Sequence, residues 1–395
     1  VLVDGFSMNA GRRSDLLAVG DGRDSTRPAF DPRGGPGEPT VLGRMRRAIE
    51  HGAQRLSPPL ARTVEGAVTG VLAGRDRVRV RRDRRRWRRV ARPVDAVLVI
   101  GHDWNNGTVA ALTGLPAAVR PRLWVVVHDV VPLTRPQFVP DDAARARFTA
   151  WLRQVTAVAE AVLVVSEATA ADIAAASDAG LIPRPRRVAV VHPAVDLEPV
   201  GAPVALPGAP VALPGGPFVV YVATIEVRKN HRTLLQAVRA AGRAGERVPT
   251  VVWVGSWGWG VDDLRADVES GPTPGLVHLD GLPDAQMRWL VEHAAAVVFP
   301  SWCEGYGLPV AEARSLGTPV FAADLPALRE AAGGVGTFLD PGDVDAWRRA
   351  LVQIAAEPPP RTIPAVARSW TDAAADVLAV MAAPQGGGPP EGPPT

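Results

Sequence analysis

Short apolar runs rich in valine recur along the chain, with amphipathic stretches between them. AVLVIG (96–101), LWVVVHD (123–129), AVLVVS (161–166) and RVAVVHP (187–193) form one series. FVVYVAT (218–224), TVVWVG (250–255), LVHLDG (276–281), AVVFPS (296–301) and PVFAAD (319–324) form a second. Continuous runs without polar alternation predict strands buried on both faces, as in parallel sheets covered by helices. Apolar stripes at helical spacing predict those helices at 143–160, 168–176, 230–242, 284–294, 309–316 and 343–356. The pattern is that of an α/β protein with two Rossmann-like halves.

Between the two series lies GAPVALPGAPVALPGG (201–216), in which the heptapeptide GAPVALP occurs twice in tandem. Proline at this density interrupts both helix and central strand, so the segment reads as a semi-extended linker. The expected organisation is a first domain over 1–200 and, after the 201–216 linker, a second over 217–366. A helix at 367–383 is expected to pack back on the first domain, and 384–395 forms a Pro/Gly tail. Residues 20–95 are poorly patterned, rich in glycine, proline and arginine.

The chain has 395 residues, 47% hydrophobic and 22% charged, enough apolar content for sizeable cores. No apolar run reaches the roughly 18–20 residues that cross a bilayer, and VLVDGFSMNAGRR lacks the pattern of a secretory leader. The single cysteine, Cys303, excludes an internal disulfide framework. A cytoplasmic setting is expected. The pI near 9.7 suggests polyanion binding until the charge is located. Residues 75–92 hold eleven arginines and two aspartates, a net +9 against +3 for the whole chain, so the remainder carries −6. That run suits peripheral contact with an anionic membrane or a solvated connection. One tryptophan, Trp87, makes no stacking platform, so nucleic acid is not an expected partner.

The chemistry concentrates in PSWCEGYGLPVAEARSLGTPV (300–320), which follows a strand. Ligands of open parallel sheets bind beyond the carboxyl ends of the strands. Pro309 and Gly317 suit the start and end of a short helix. The free amides of that start, from Gly307 and Leu308 onward, favour phosphate. Gly305 and Gly307 allow a ligand to approach the backbone closely. Glu304 and Glu312 would repel a diphosphate, so as ligand contacts they belong on hydroxyls, which ionised carboxylates accept well. Arg228 and Lys229, after the strand at 218–224, supply cations for the diphosphate. A nucleotide-sugar fits this set. Each feature alone has a plainer reading: Glu312 as a helix-start charge, Glu304 as a solvated loop residue, Arg228–Lys229 as a helix-entry pair. Cys303 reads as a packing residue, and DPGDVDAW (340–347) as a turn with a helix N-cap rather than a metal site. No His, Cys or Asp cluster has metal-ligand spacing.

Taken together, these segments resemble a retaining glycosyltransferase of family 4, in its mannosyltransferase-like branch. The resemblance covers roughly residues 95–380. It is carried by the E-x7-E stretch at 300–320, by YVATIEVRKNHRTLLQAV, WVGSWGWGVDDL and LVHLDGLPDAQMRWLVEHAAAVVFPS, and in the first half by WVVVHDVVPLTRPQFVP and AVLVVSEATAADI. It implies a GT-B architecture, two Rossmann-like domains facing a cleft. It also implies Glu304 on donor-sugar hydroxyls, Glu312 on the ribose, and Lys229 with Arg228 on the departing diphosphate. Gly305, Tyr306, Gly307 and Leu308 would line the donor, Gly281 and Leu282 would lie near the base, and His128 would help to position the transferred sugar. His128 by itself reads rather as a packed strand-end residue, and the resemblance reverses that preference. The family's reaction implies a GDP- or UDP-hexose donor, a glycan or lipid-linked acceptor in envelope polysaccharide synthesis, and no cofactor or metal.

Two positions depart from that pattern. Many relatives carry an arginine where this chain has Thr224, and Arg228 stands in for it. A glycine-rich loop usually follows the first strand, where only Gly11 is available. A non-catalytic relative that binds nucleotide or glycan with a degraded acceptor domain is therefore the alternative. A nucleotide-sugar epimerase and a nucleic-acid-binding protein driven by 75–92 are more distant readings.

Overall fold

The computed structural model describes residues 2–5, 14–19, 67–71, 96–101, 103–195, 216–364 and 368–383, the first three segments through their backbone pairing. The arginine run at 75–92, Gly11, the proline repeat and the tail lie outside the described residues. Strands β1 (Leu2–Gly5), β2 (Ser14–Val19), β3 (Ala67–Val71), β4 (Ala96–Val99), β5 (Arg122–Val127), β6 (Ala161–Val164) and β7 (Val188–Val190) form one sheet in the order β3-β2-β1-β4-β5-β6-β7. It is parallel from β1 to β7, with β2 and β3 added antiparallel at one edge. That edge was not expected, and AVTGV shows why: glycine and threonine interrupt its apolar run.

A second sheet contains β8 (Phe218–Val222), β9 (Thr250–Val254), β10 (Leu276–Leu279), β11 (Ala296–Phe299), β12 (Val320–Ala323) and β13 (Thr337–Leu339). All are parallel, in the order β10-β9-β8-β11-β12-β13. The strand order reverses between β8 and β11, which opens a crevice at their carboxyl ends.

The first domain carries the short helices α1 (Asp103–Asn106), α2 (Thr108–Thr113) and α3 (Val131–Thr134), with the longer α4 (Asp142–Val158) and α5 (Glu167–Asp178). In the second lie α6 (His231–Arg243), α7 (Asp262–Glu269), α8 (Asp284–His293), α9 (Leu308–Ser315), α10 (Pro326–Ala331) and α11 (Val344–Ala356). The six expected helices are present within two residues at each end. The short ones escape periodicity because one or two turns cannot show a stripe; α7 buries Leu264 alone. As expected of an N-cap, the Asp343 carboxylate accepts from the Ala346 amide at 2.8 Å.

Helix α12 (Trp370–Ala382) begins with a reciprocal Ser369–Asp372 capping box. It returns across the molecule and packs Ala374 and Val377 against Leu98, Trp124 and Leu163 of the first sheet. Among the described residues no helix is long and apolar enough to cross a membrane.

The core of the second domain lies under the crevice, with Tyr221, Trp253, Phe299 and Trp347 fully buried. His231, at the start of α6, stacks on Tyr221 with ring centroids 4.3 Å apart and meets Trp253 edge-on at 4.9 Å. Neither of its ring nitrogens has a hydrogen-bond partner. Burial, and then the nearby Lys229 charge, push its protonation well below the usual histidine range. Below pH about 6.5 the unfolded chain takes up a proton that the folded chain refuses, so stability falls with pH. His231→Phe keeps the stacking and removes this linkage. Between pH 7.5 and 5.5 the variant should gain about 1.4 kcal/mol relative to the native chain. Urea unfolding at both pH values measures this, and an unchanged difference would refute the buried neutral histidine.

Candidate functional site

The crevice is built by the loops that leave β8 and β11. After β8 the chain makes a 3-10 turn over Val227–Lys229 and enters α6 through Asn230. Asn230 has φ 55°, the one non-glycine residue with positive φ among the described residues. Asparagine tolerates that region better than most residues. Its side-chain nitrogen donates to the carbonyls of Pro300 (3.0 Å) and Pro341 (2.8 Å), and its oxygen accepts from Thr233 Oγ1 at 2.9 Å. Tyr221, from β8, donates its hydroxyl to the Lys229 carbonyl at 2.6 Å and lies 3.2 Å from Ser301 Oγ. The Trp302 amide donates to the Arg228 carbonyl at 2.9 Å. These bonds lock the two loops side by side.

Four charged side chains meet there. Arg228 donates through Nη1 to Glu304 Oε2 at 2.9 Å and to the Cys303 carbonyl at 3.0 Å. Through Nε and Nη2 it grips Glu226 Oε1 at 3.0 and 2.9 Å. Lys229 Nζ donates to the other Glu304 oxygen at 2.7 Å. The two carboxylates are 3% and 7% exposed, so the network is buried, with formal charges that cancel. Burial alone would raise the Glu304 carboxyl, but the Lys229 and Arg228 charges outweigh it and hold the group at about 2. For Glu226 burial prevails over the same two cations, and its carboxyl is raised. Glu304 is thus the stronger acid of the pair that shares Arg228. Burial, the largest influence on the Cys303 thiol, pushes it up to about 12, so it stays protonated at neutral pH. This supports its reading as a packing residue.

The turn after Glu304 is shaped by close contacts. A side chain at Gly305 would place its Cβ 2.0 Å from the His128 carbonyl oxygen of the first domain. The Gly305 carbonyl accepts from the hydroxyls of Ser166 and Thr169, also in the first domain. Gly307 has φ 104°, and a Cβ there would meet Leu328 Cδ2 of α10 at 2.4 Å. Gly307 is the N-cap of α9, and no side chain caps that end. Leu308 and Pro309 open the helix, with half-buried Glu312 one turn in, and Gly317 follows its end with φ 71°.

The expected site residues therefore fall into four groups. Arg228 and Lys229 both touch Glu304, and Gly305, Tyr306, Gly307, Leu308 and Glu312 continue from it along the same turn and helix. Gly281 and Leu282 follow β10, three strand spacings from β11 on the same carboxyl edge, roughly 14 Å away. Thr224 is exposed at the start of the β8 loop, with its methyl against Gly258. His128 joins from across the cleft through its backbone. Its Nε2 lies 2.8 Å from the Ile100 carbonyl, so that nitrogen carries the hydrogen. Among the described residues no three His, Cys, Asp or Glu side chains converge as a metal-binding group. Glu226 and Asn230 escaped the sequence reading. The E-x-R-K-N spacing was visible, but nothing in it shows that a loop folds Glu226 back onto Arg228.

Two family models match the chain, Glycosyl transferases group 1 over residues 216–357 and Glycosyltransferase Family 4 over 37–199. The O-antigen chain mannosyltransferase B of Escherichia coli is 36% identical over 137 residues, covering 34% of this chain and 36% of that protein. A serotype-specific mannosyltransferase, WbdA, of Escherichia coli is 31% identical over 217 residues, or 52% of this chain and 26% of that one. The chain thus spans about a third or less of the length of these curated relatives. The sucrose-phosphate synthase structure from Thermosynechococcus elongatus superimposes with a TM-score of 0.53 at 18% identity, covering 75% of this chain and 71% of that one, a likeness of fold. Two parallel-sheet domains that face a cleft and both family matches lead to one assignment: the chain carries a Glycosyltransferase Family 4 domain and a Glycosyl transferases group 1 domain in a GT-B architecture.

Proposed function

We propose that the chain transfers a hexosyl group, with retention of configuration, from a GDP- or UDP-sugar to a glycan or lipid-linked acceptor of an envelope polysaccharide. The observation that carries this reading is the neutral, buried Glu226–Arg228–Glu304–Lys229 network, set beside the side-chain-free start of α9 at the switch point. The names of the curated mannosyltransferase relatives make mannose the first sugar to test.

In this reading the donor lies along the carboxyl edge of the second sheet. Its base sits by Gly281 and Leu282, its ribose by Glu312, and its diphosphate between the Gly307–Leu308 amides and the two cations. The transferred sugar falls between Glu304 and His128. A diphosphate arriving there competes with Glu304 for Lys229 and Arg228. The cations exchange one anionic partner for another, and Glu304 is released to accept hydrogen bonds from the sugar. The two cations stay paired through that exchange, and the sugar hydroxyls and the α9 amides take over as hydrogen-bond donors to the anions.

As the bond from the anomeric carbon to the diphosphate oxygen breaks, its electron pair passes to that oxygen. Lys229, Arg228 and the α9 amides stabilise the growing charge. The acceptor hydroxyl attacks on the face the diphosphate leaves, and its proton goes to the departing oxygen. No metal is expected, because the two cations supply the countercharge. A lipid-linked acceptor would place the work at the cytoplasmic face of a membrane.

Calorimetry with GDP and UDP tests the donor site: one of them should bind the native chain. Glu312→Ala should weaken that binding about 10- to 100-fold, the value of a charged hydrogen bond to a ribose hydroxyl. Binding of neither nucleotide would overturn the reading. Glu304→Gln leaves two buried cations short of a partner, so it should lower unfolding stability by about 3 kcal/mol. It should also slow transfer from GDP-mannose or UDP-glucose about 100- to 1,000-fold. Urea unfolding and a donor screen by mass spectrometry read the two effects separately.

A further inference from the structure

The transfer site just described is shared between two domains, yet its charged network lies wholly in the second. Something must hold the turn at 304–307 against His128. We propose that Glu330 is the positioning residue that does so: it lends one carboxylate to the start of helix α5 and to His192, and thereby clamps α10 to the first domain. The inference rests on the glycosyl-transfer reading above.

Helix α5 begins at Glu167, and its first amides need acceptors. Ser166 Oγ satisfies the Thr169 amide at 2.9 Å, from within the same domain. The Glu167 and Ala168 amides are satisfied from the other domain, by Glu330 Oε1 at 2.8 Å and Oε2 at 3.4 Å. A carboxylate at the positive end of a helix is electrostatically favoured. Glu330 Oε1 also lies 2.6 Å from His192 Nε2, on the segment that leaves β7. One side chain thus reaches two points of the first domain, each well over a hundred residues away from it in sequence. If the domains part, water can replace the carboxylate on both amides, so the clamp is reversible rather than permanent.

The clamp is coupled to the donor turn by direct contact. Helix α10 carries both Glu330 and Leu328, and Leu328 lies where a Gly307 side chain would be. The Tyr306 ring is 6.0 Å from the His192 ring. The Gly305 carbonyl is held by Ser166 and Thr169, at the same start of α5. Each of residues 305, 306 and 307 is therefore touched by a member of the seam. Opening the seam moves the turn away from His128, while Arg228, Lys229 and Glu304 stay together within their own domain.

This predicts a separation of binding from turnover. Glu330→Ala should leave calorimetric binding of GDP or UDP within about threefold of native. It should lower the rate of GDP release from GDP-mannose in the presence of a membrane-extract acceptor about 100-fold, as expected when reacting groups are misplaced by about an ångström. Small-angle X-ray scattering of the full chain should show a wider distribution of interatomic distances. Glu330→Gln keeps the volume and one acceptor oxygen and should fall between native and alanine. His192→Gln, which leaves the α5 contacts in place, should have the smaller effect. Scattering curves for Glu330→Ala and Glu330→Gln that superimpose on the native curve would overturn the clamp. So would nucleotide affinity that falls in step with turnover while the scattering is unchanged. If the native chain binds neither nucleotide, the functional reading falls, and the scattering comparison still decides whether Glu330 holds the domains together.

Discussion

Four buried charges that cancel hold the ends of β8 and β11 together where the strand order reverses. The crevice exists because the parallel sheet splits its crossovers there, but a crevice alone does not concentrate cations. Arg228 and Lys229 can be held out of water only because Glu226 and Glu304 accompany them, since an isolated buried charge would cost several kcal/mol. Tyr221 and Asn230 serve that arrangement by tying each loop's backbone to the other. The orphaned nitrogens of His231 lie directly beneath it. A neutral histidine is what the position demands, because Lys229 stands close by and a further positive charge would have no partner.

The same network explains why one side of the cleft is complete in itself. Glu226, Arg228, Lys229 and Glu304 all come from the second domain and bond to one another there, so the network does not depend on the packing of the first. At the 304–307 turn the approach of the two domains is set by backbone: Gly305 is a glycine because the His128 carbonyl occupies the space of a side chain. The returning helix α12 gives the first sheet part of its cover, and so ties the two domains at their far side as well.

Much of this architecture was legible in the residues. Valine-rich runs located β4 to β12, because a parallel sheet buried on both faces tolerates little else, but not β1 to β3 or the three-residue β13. Helical stripes located the long helices for the same reason. Glu304, Arg228 and Lys229 were identified as one chemical set because strand-end position and charge restrict what such residues can do. Less could be read where the local signal is short or conditional. Helix α10 has six residues and no stripe, and β3 contains a glycine and a threonine.

What remained for the tertiary structure was partnership. The sequence states that Glu226, Glu304 and Glu330 are glutamates, but not that the first two share an arginine while the third crosses to another domain. Glu226 lies two positions from Arg228, but the Glu304 and Glu330 contacts reach across 76 and 163 positions of chain. Local propensity and periodicity act over a few residues, whereas charge compensation is settled by whichever groups the folded backbone brings within about 3 Å. Most strands, the long helices and the 304–312 turn are local patterns and could be read from the chain; the neutral network exists only once the second domain is folded, and the glycine contact at His128 and the Glu330 seam only once the two domains are packed.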